Sequence, residues 1–316
     1  MLKKTILPIF VYVMFAFNSA GGASAFSELI IFSGSLSDTG NCASIGCAEF
    51  PEPPFFENRS SNGPVAVDVV ASLLRLSSAP SLHLVGPEQG TNYAFLGALA
   101  AGDRDIDLKA QVEAYLDPRG YVADPDALYF IFIGGNDVIA AVEEPDFVQA
   151  GAIIRQAVDG IDNAVRELVA AGARTLLVGN FIDLGTAPIS RDLGISEIAT
   201  LRTKQFNRGL SQRIRLLEHF LNIDIHEFDF FALGEDFFAS AKELGFTNTT
   251  DSCLALPAEA CDFDTFVFFN EVFPSARVHQ LVGNEIVSTL IRQLNEPRGG
   301  GRHSFLRRPG FVDLAW

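Results

Sequence analysis

Basic residues are scarce in this 316-residue chain, with 23 Lys and Arg against 39 Asp and Glu, a formal net charge of −16. That balance argues against sequence-independent binding to nucleic-acid phosphates or anionic lipid surfaces, because both require an excess of cations. Long apolar runs are also missing. Beyond the first residues no segment approaches the roughly 18–20 uninterrupted apolar residues of a spanning helix. Cysteine is limited to four residues, which fall as two local pairs, Cys42 with Cys47 and Cys253 with Cys261, in stretches that read as loop. In an exported chain this pattern points to two short-range disulfides, with the connectivity left open. Neither pair has the short gap and neighbouring histidines of a structural zinc site, and no metal or cofactor is expected.

The first residues do have a pattern. Lys3 and Lys4 precede an apolar run from Ile6 to Phe17, and small residues lead to Ala23-Ser24-Ala25. This is the layout of a secretory signal peptide cleaved after Ala25, and the apolar run is short for a membrane anchor. The chain is therefore expected to be exported, to the periplasm or outside the cell. Residues 26–295 show no composition shift and read as one domain. Residues 296–316, with Gly299 to Gly301 and several arginines, read as a tail without periodicity.

Apolar strand-like runs alternate with helix-like ones. Strands are expected at Leu29 to Phe32, Leu128 to Ile133, Thr175 to Gly179, Ile223 to Phe228 and Thr265 to Phe269. Helices are expected at Val65 to Leu76, Leu108 to Leu116, Phe147 to Ala171, Ile195 to Leu221 and His279 to Leu294. In the third helix Ile154, Val158, Ile161, Val165, Leu168 and Val169 form one apolar stripe at spacings of three and four. Continuous apolar strands with helical crossovers describe an α/β fold, a three-layer sandwich around a mostly parallel sheet. Ligands of such sheets bind beyond the carboxyl ends of the strands. Four polar turns fall there: after Phe32, after Ile133 (GGND), after Val178 (NFIDLG) and after Phe269 (NEVF).

A serine acts as nucleophile when a base takes its proton and donors await the oxyanion. Ser35, in the turn FSGSLSDTGN, has the position for such a serine. Gly97 in NYAFLGA lets backbone approach a ligand closely, and Asn136 in IGGND donates without carrying charge. Asp38 and Asn41 read as Asx-turn formers or helix caps, and Asp137 as a cap for the segment that follows it. The 28 phenylalanines read as core, with the cluster FDFFALGEDFF able to edge a groove for acyl chains.

Taken in order, these strings resemble the GDSL or SGNH family of serine ester hydrolases across nearly the whole domain. FSGSLSDTGN resembles the family's first block, usually FGDSLSDTGN, and GTNYAFLGA and IGGNDV resemble the second and third. SSNGPVAVDVVASLL, NFIDLGTAP and FNRGL are similar to intervening pieces. The resemblance implies a flavodoxin-like three-layer fold without a metal. It also implies an acyl-serine mechanism on small acyl esters or acylated glycans and lipids, with Ser35 as nucleophile and Gly97 and Asn136 in the oxyanion hole. The family's last block usually reads WDxVHPT, its aspartate orienting the histidine base.

Here the chain departs from the pattern. FFNEVFPSARVHQLVG puts Asn270 at the aspartate position and Phe273 at the histidine position. Ser33 and Gly34 likewise replace the Gly and Asp before the nucleophile. Phenylalanine has no acid–base group, so hydrolysis is expected to be weak or absent. The alternative is a non-catalytic protein that binds acylated or glycan ligands on the same scaffold. Two surrogate bases have lesser claims: His279, which reads chiefly as a structural residue in the first turn of the last helix, and Glu271, whose side chain should point away from Asn270.

Overall fold

The computed structural model describes residues 24–50, 52–223 and 225–295. The expected leader, apart from its last two residues, and the expected tail lie outside them. Four parallel strands make the central sheet in the order β1 (Leu29–Ser33), β2 (Leu128–Phe132), β3 (Thr175–Gly179) and β4 (Ile225–Phe228). Every residue of β1 and β2 is buried, as their unbroken apolar sequences require, since alternation appears only in sheets with a wet face.

Helices cover the sheet. α2 (Ala66–Leu74) packs against α9 (Ala276–Asn295), while α5 (Phe147–Ala171) packs between α3 (Leu108–Leu116) and α7 (Ser196–Leu221), with α4 (Gly135–Glu143) against α5 and α7. The apolar stripe of α5 is the face that packs: Ile154, Val158, Ile161, Val165 and Leu168 are buried and Val169 is half-buried. The fold is thus the expected α/β arrangement. Among the described residues no helix is long and apolar enough to cross a membrane.

Three local outcomes differ from the sequence expectation. Residues 91–95 extend the sheet beyond β1. The Ile31 N–H donates to the Thr91 carbonyl, and the N–H groups of Tyr93 and Phe95 donate to the carbonyls of Ile31 and Ser33. Secondly, the GGND turn opens α4 directly. Thirdly, the strand expected near Thr265–Phe269 does not join the sheet: β6 (Phe266–Phe268) pairs in parallel with β5 (Asn248–Ser252) in a separate two-stranded ribbon. That ribbon closes over a second, small core of Ala187, Phe237, Ala241, Phe246, Val267, Phe268 and Val278. Between the two lie α6 (Pro188–Asp192) and α8 (Phe230–Ser240), and α1 (Asn41–Ser44) follows the first turn. The Phe230 ring of α8 stacks on Phe132 at 4.2 Å, so the FDFF cluster enters the main core through Phe228 and Phe230. The cysteines pair locally, Cys42 with Cys47 and Cys253 with Cys261.

The α2–α9 seam encloses His279, which is 3% exposed. Its Nδ1 accepts the Ala66 N–H at 3.2 Å, a donor left free by the start of α2. Accepting there fixes the ring as neutral. Burial pushes its pKa down to about 4, against an opposing pull from Asp68. The folded state therefore binds fewer protons at this site than the unfolded chain, and stability from His279 is lost as pH falls from about 6.5 to about 4. The full effect is on the order of 3 kcal/mol. Asp137 and Glu227, both raised to about 6 by burial, slope the other way, so a difference between proteins is the informative quantity. We predict that His279→Asn, which keeps an acceptor for Ala66 but cannot titrate, loses less stability than the parent between pH 6.5 and 4. Urea unfolding across that range measures it.

Candidate active site

The first turn is fixed by one buried carboxylate. Asp38 is 3% exposed. Its Oδ1 accepts the N–H groups of Gly40 (2.9 Å) and Asn41 (2.8 Å), and its Oδ2 those of Cys42 (3.1 Å) and Leu96 (2.9 Å). The first three bonds cap α1, as an Asx-type residue should; the fourth reaches across to the segment carrying Gly97. Burial pushes the Asp38 carboxyl up from the usual carboxylate range, and the four N–H bonds pull against it. Asn41 adds two donations from Nδ2, to the carbonyls of Asn92 (2.8 Å) and Ala94 (2.9 Å). Asn92 answers with its own Nδ2 to the Ser37 carbonyl at 2.8 Å. The turn around Ser35 and the strand-like segment 91–95 are therefore one hydrogen-bonded unit.

Residues 96–101 are held from every side. The Asn136 Nδ2 donates to the Ala98 carbonyl (2.8 Å), and the Leu99 N–H to Asp107 Oδ1 (2.8 Å). Arg104 Nη2 bridges the Gly97 carbonyl (2.7 Å) and Asp107 (2.6 Å). Asp137 does not cap the segment after it: its carboxylate accepts the N–H groups of Ala100 (2.8 Å) and Ala101 (3.2 Å). Its position in the first turn of α4 puts it beside that loop, and the loop's unsatisfied donors claim it. Arg104, Asp107 and Asp137 are positioning residues that sequence reasoning missed or misread, because each acts on backbone and carries no motif of its own.

Within this frame Gly97 takes φ +83°, with nothing within 4 Å of where a Cβ would lie. Its conformation, not crowding, demands glycine. The Gly97 N–H has no backbone partner among the described residues. A Cβ added to Gly34, the residue before Ser35, would lie 3.9 Å from Asn136 Nδ2. The structure thus gathers Ser35, Gly97 and Asn136 at the carboxyl edge of β1 and β2, with one Asn136 amide hydrogen and the Gly97 N–H uncommitted. The same number shows that Gly34 is not enforced by sterics, since its backbone is extended and a side chain would fit at ordinary contact distance. Ser33 donates through Oγ to the Phe132 carbonyl (2.5 Å) and through its N–H to Gln111 Oε1 (3.0 Å). It anchors the end of β1.

The segment from Phe269 to Phe273 is a closed turn. Asn270 Oδ1 accepts the N–H groups of Val272 (2.9 Å) and Phe273 (2.7 Å), and the Phe269 N–H donates to the Phe273 carbonyl (2.8 Å). Phe273 is half-buried and Glu271 exposed; the Glu271 carbonyl receives the Ile189 N–H, tying this turn to α6. On its far side the Ala276 N–H donates to Asn62 Oδ1 (2.9 Å), just ahead of α2, and α2 in turn contacts the Ser35–Ser37 turn. The Ser35 hydroxyl forms no hydrogen bond with any other described residue. His279 lies in the α2–α9 seam with its Nδ1 lone pair occupied. His226 sits on β4, at the opposite edge of the sheet from β1, roughly 14 Å away at normal strand spacing. His83 Nδ1 pairs with Ser81 Oγ at 2.6 Å, and burial lowers its pKa. Among the described residues no cluster of three His, Cys, Asp or Glu side chains could hold a metal ion.

One glycine sets how closely α5 approaches this loop. A Cβ on Gly160 would fall 2.0 Å from the Ala100 carbonyl oxygen. Gly160→Ala raises helix propensity by about 1 kcal/mol, yet should lower stability by about 1–3 kcal/mol because the loop braced by Asp137 must move. Chemical denaturation of the two proteins decides the sign.

The chain is 26% identical over 263 residues to a phosphatidylcholine-sterol acyltransferase of Aeromonas hydrophila, covering 80% of this chain and 72% of that protein. It is 24% identical over 335 residues to a GDSL esterase/lipase of Arabidopsis thaliana, covering 88% and 91% respectively. Among solved structures, an acetylxylan esterase of Geobacillus stearothermophilus aligns at 15% identity and a TM-score of 0.47, over 85% of this chain and 94% of its own. The profile of the GDSL-like lipase/acylhydrolase family matches residues 32–286. The chain belongs to that family.

Proposed function

We propose that this protein is an exported member of the ester-hydrolase family whose site still binds an acyl ester, or an acylated glycan or lipid, but hydrolyses it very slowly or not at all. In this reading Ser35 occupies the nucleophile position, Gly97 and Asn136 supply the oxyanion donors, and Asn270 and Phe273 fill the places of the orienting aspartate and the base. The observation that carries it is the contrast between a donor set that is assembled and braced and a Ser35 hydroxyl with no acceptor for its proton.

The magnitudes favour loss of turnover over a mild defect. In serine proteases, exchange of the triad Asp for Asn costs about 10⁴ and loss of the His costs about 10⁶, leaving about 10³–10⁴ over water from binding and the oxyanion hole. That residue of catalysis matches what the Gly97 and Asn136 donors could supply unaided. His279 could replace the missing base only by leaving the seam and surrendering its bond to Ala66. The retained donors also support the second reading, a non-catalytic binding protein for the same acylated ligands. The two disulfides suit an oxidising compartment, in line with export.

Asn270 is compatible with restoration. An aspartate at 270 would accept the same two N–H groups and keep lone pairs for a histidine at 273. On short-chain and long-chain p-nitrophenyl esters, the parent should match Ser35→Ala. The double variant Asn270→Asp with Phe273→His should gain about 10²–10⁴-fold, the usual worth of a general base. Parent activity that disappears in Ser35→Ala would overturn the inactive reading. A folded double variant with no gain would overturn the placement of the last block.

A further inference from the structure

At the carboxyl ends of β3 and β4 the structure has a cleft of about 230 Å³, lined by Asn180, Lys204, Asn207, Arg208, Ser211, Glu227, Asp229 and Phe231. None of Ser35, Gly97, Asn136 or Phe273 lines it. Two of the lining side chains are accounted for. Asn207 spans the Phe181 backbone through both of its amide atoms, and Asn180 fixes the turn into α8.

Of the four charged lining groups, Asp229 alone is held by short hydrogen bonds. Lys204 and Arg208, one helical turn apart on the exposed side of α7, face Glu227 and Asp229 from the strand side, and no member of either pair forms an ion pair with the other. The Lys204 ammonium lies 5.4 Å from the Phe231 ring centre. Asp229 uses Oδ1 to cap α8 and to hold Asn180. Glu227 has one long contact, from Ser211 Oγ at 3.5 Å, and Ser211 is itself taken by Arg215 Nη1. Burial, with Asp229 nearby, pushes the Glu227 carboxyl up to about 6.

Lys204 and Arg208 are exposed while Glu227 and Asp229 are half-buried, so the cleft sets two solvent-reached cations opposite two carboxylates whose partial burial favours a cationic partner. We propose that this cleft is a binding site for a small zwitterion of the amino-acid type. Its carboxylate sits between Lys204 and Arg208, and its ammonium sits between Glu227 and Asp229, beside the Phe231 ring. Two cations at adjacent turns suit a carboxylate, to which Arg208 can present a fork of donors. Two carboxylates and an aromatic ring suit an ammonium. The volume admits a ligand well below drug size. The site is separate from the chemistry proposed at Ser35 and stands whether or not that reading holds.

Isothermal titration of the purified protein with γ-aminobutyrate and 5-aminopentanoate, against butyrate and butylamine as single-charge controls, tests the proposal. At least one zwitterion should bind saturably, and both controls about tenfold or more weakly than it. Glu227→Gln, nearly isosteric, and Arg208→Gln, on an exposed face, should each weaken that binding about tenfold. The proposal is overturned by absence of saturable binding of both zwitterions, by controls that bind equally well, or by binding that survives both substitutions.

Discussion

The buried carboxylate of Asp38 is the interaction on which the site depends. Through four backbone N–H groups it joins the turn after β1 to the segment that ends in Gly97, two stretches that are nearly sixty residues apart in sequence. Bonds from N–H to a charged acceptor are worth about 1.5–3 kcal/mol each in net terms, and the four together offset much of the cost of a burial that still holds the carboxyl above its usual range. Everything downstream inherits this rigidity. The strand-like segment 91–95 aligns on β1, and Asn136 can then reach Ala98 from α4.

The same logic recurs one layer out. Asp107, Arg104 and Asp137 hold residues 97–101 by their peptide groups, so backbone capture shapes the loop along with the packing of Ala98 and Ala100 into the main core. Preorganised donors are the feature that gives an oxyanion hole its strength, since no reorganisation is required when charge develops. In the turn after β6, by contrast, Asn270 serves the backbone and Phe273 offers only a benzyl group.

Much of the fold was legible because its strands are buried on both faces and its long helices carry single apolar stripes. Ile154 to Leu168 is the plainest case. The failures have physical causes. Phe266–Phe268 is apolar and short, and nothing in such a run states which strand it will pair with; the small core around Phe237 and Phe246 captured it. Residues 91–95 gave no strand signal because Asn92 spends its side chain on the Ser37 carbonyl, a bond invisible in one dimension. Asp137 looks like any acid in a first helical turn, and its partners Ala100 and Ala101 have no side-chain signature. Ser35, Gly97 and Asn136, and the departures at Asn270 and Phe273, were singled out by the resemblance, and their roles rest on it. The α2–α9 burial of His279 required the tertiary structure.

The account turns on whether the Ser35 hydroxyl can give up its proton. The most direct measurement is covalent labelling with an alkyl fluorophosphonate at neutral pH, followed by intact mass spectrometry and peptide mapping. Ser35 should remain unmodified in the parent over hours and become labelled in the Asn270→Asp, Phe273→His variant. Rapid stoichiometric labelling of Ser35 in the parent would show that a base is present after all and would contradict the account.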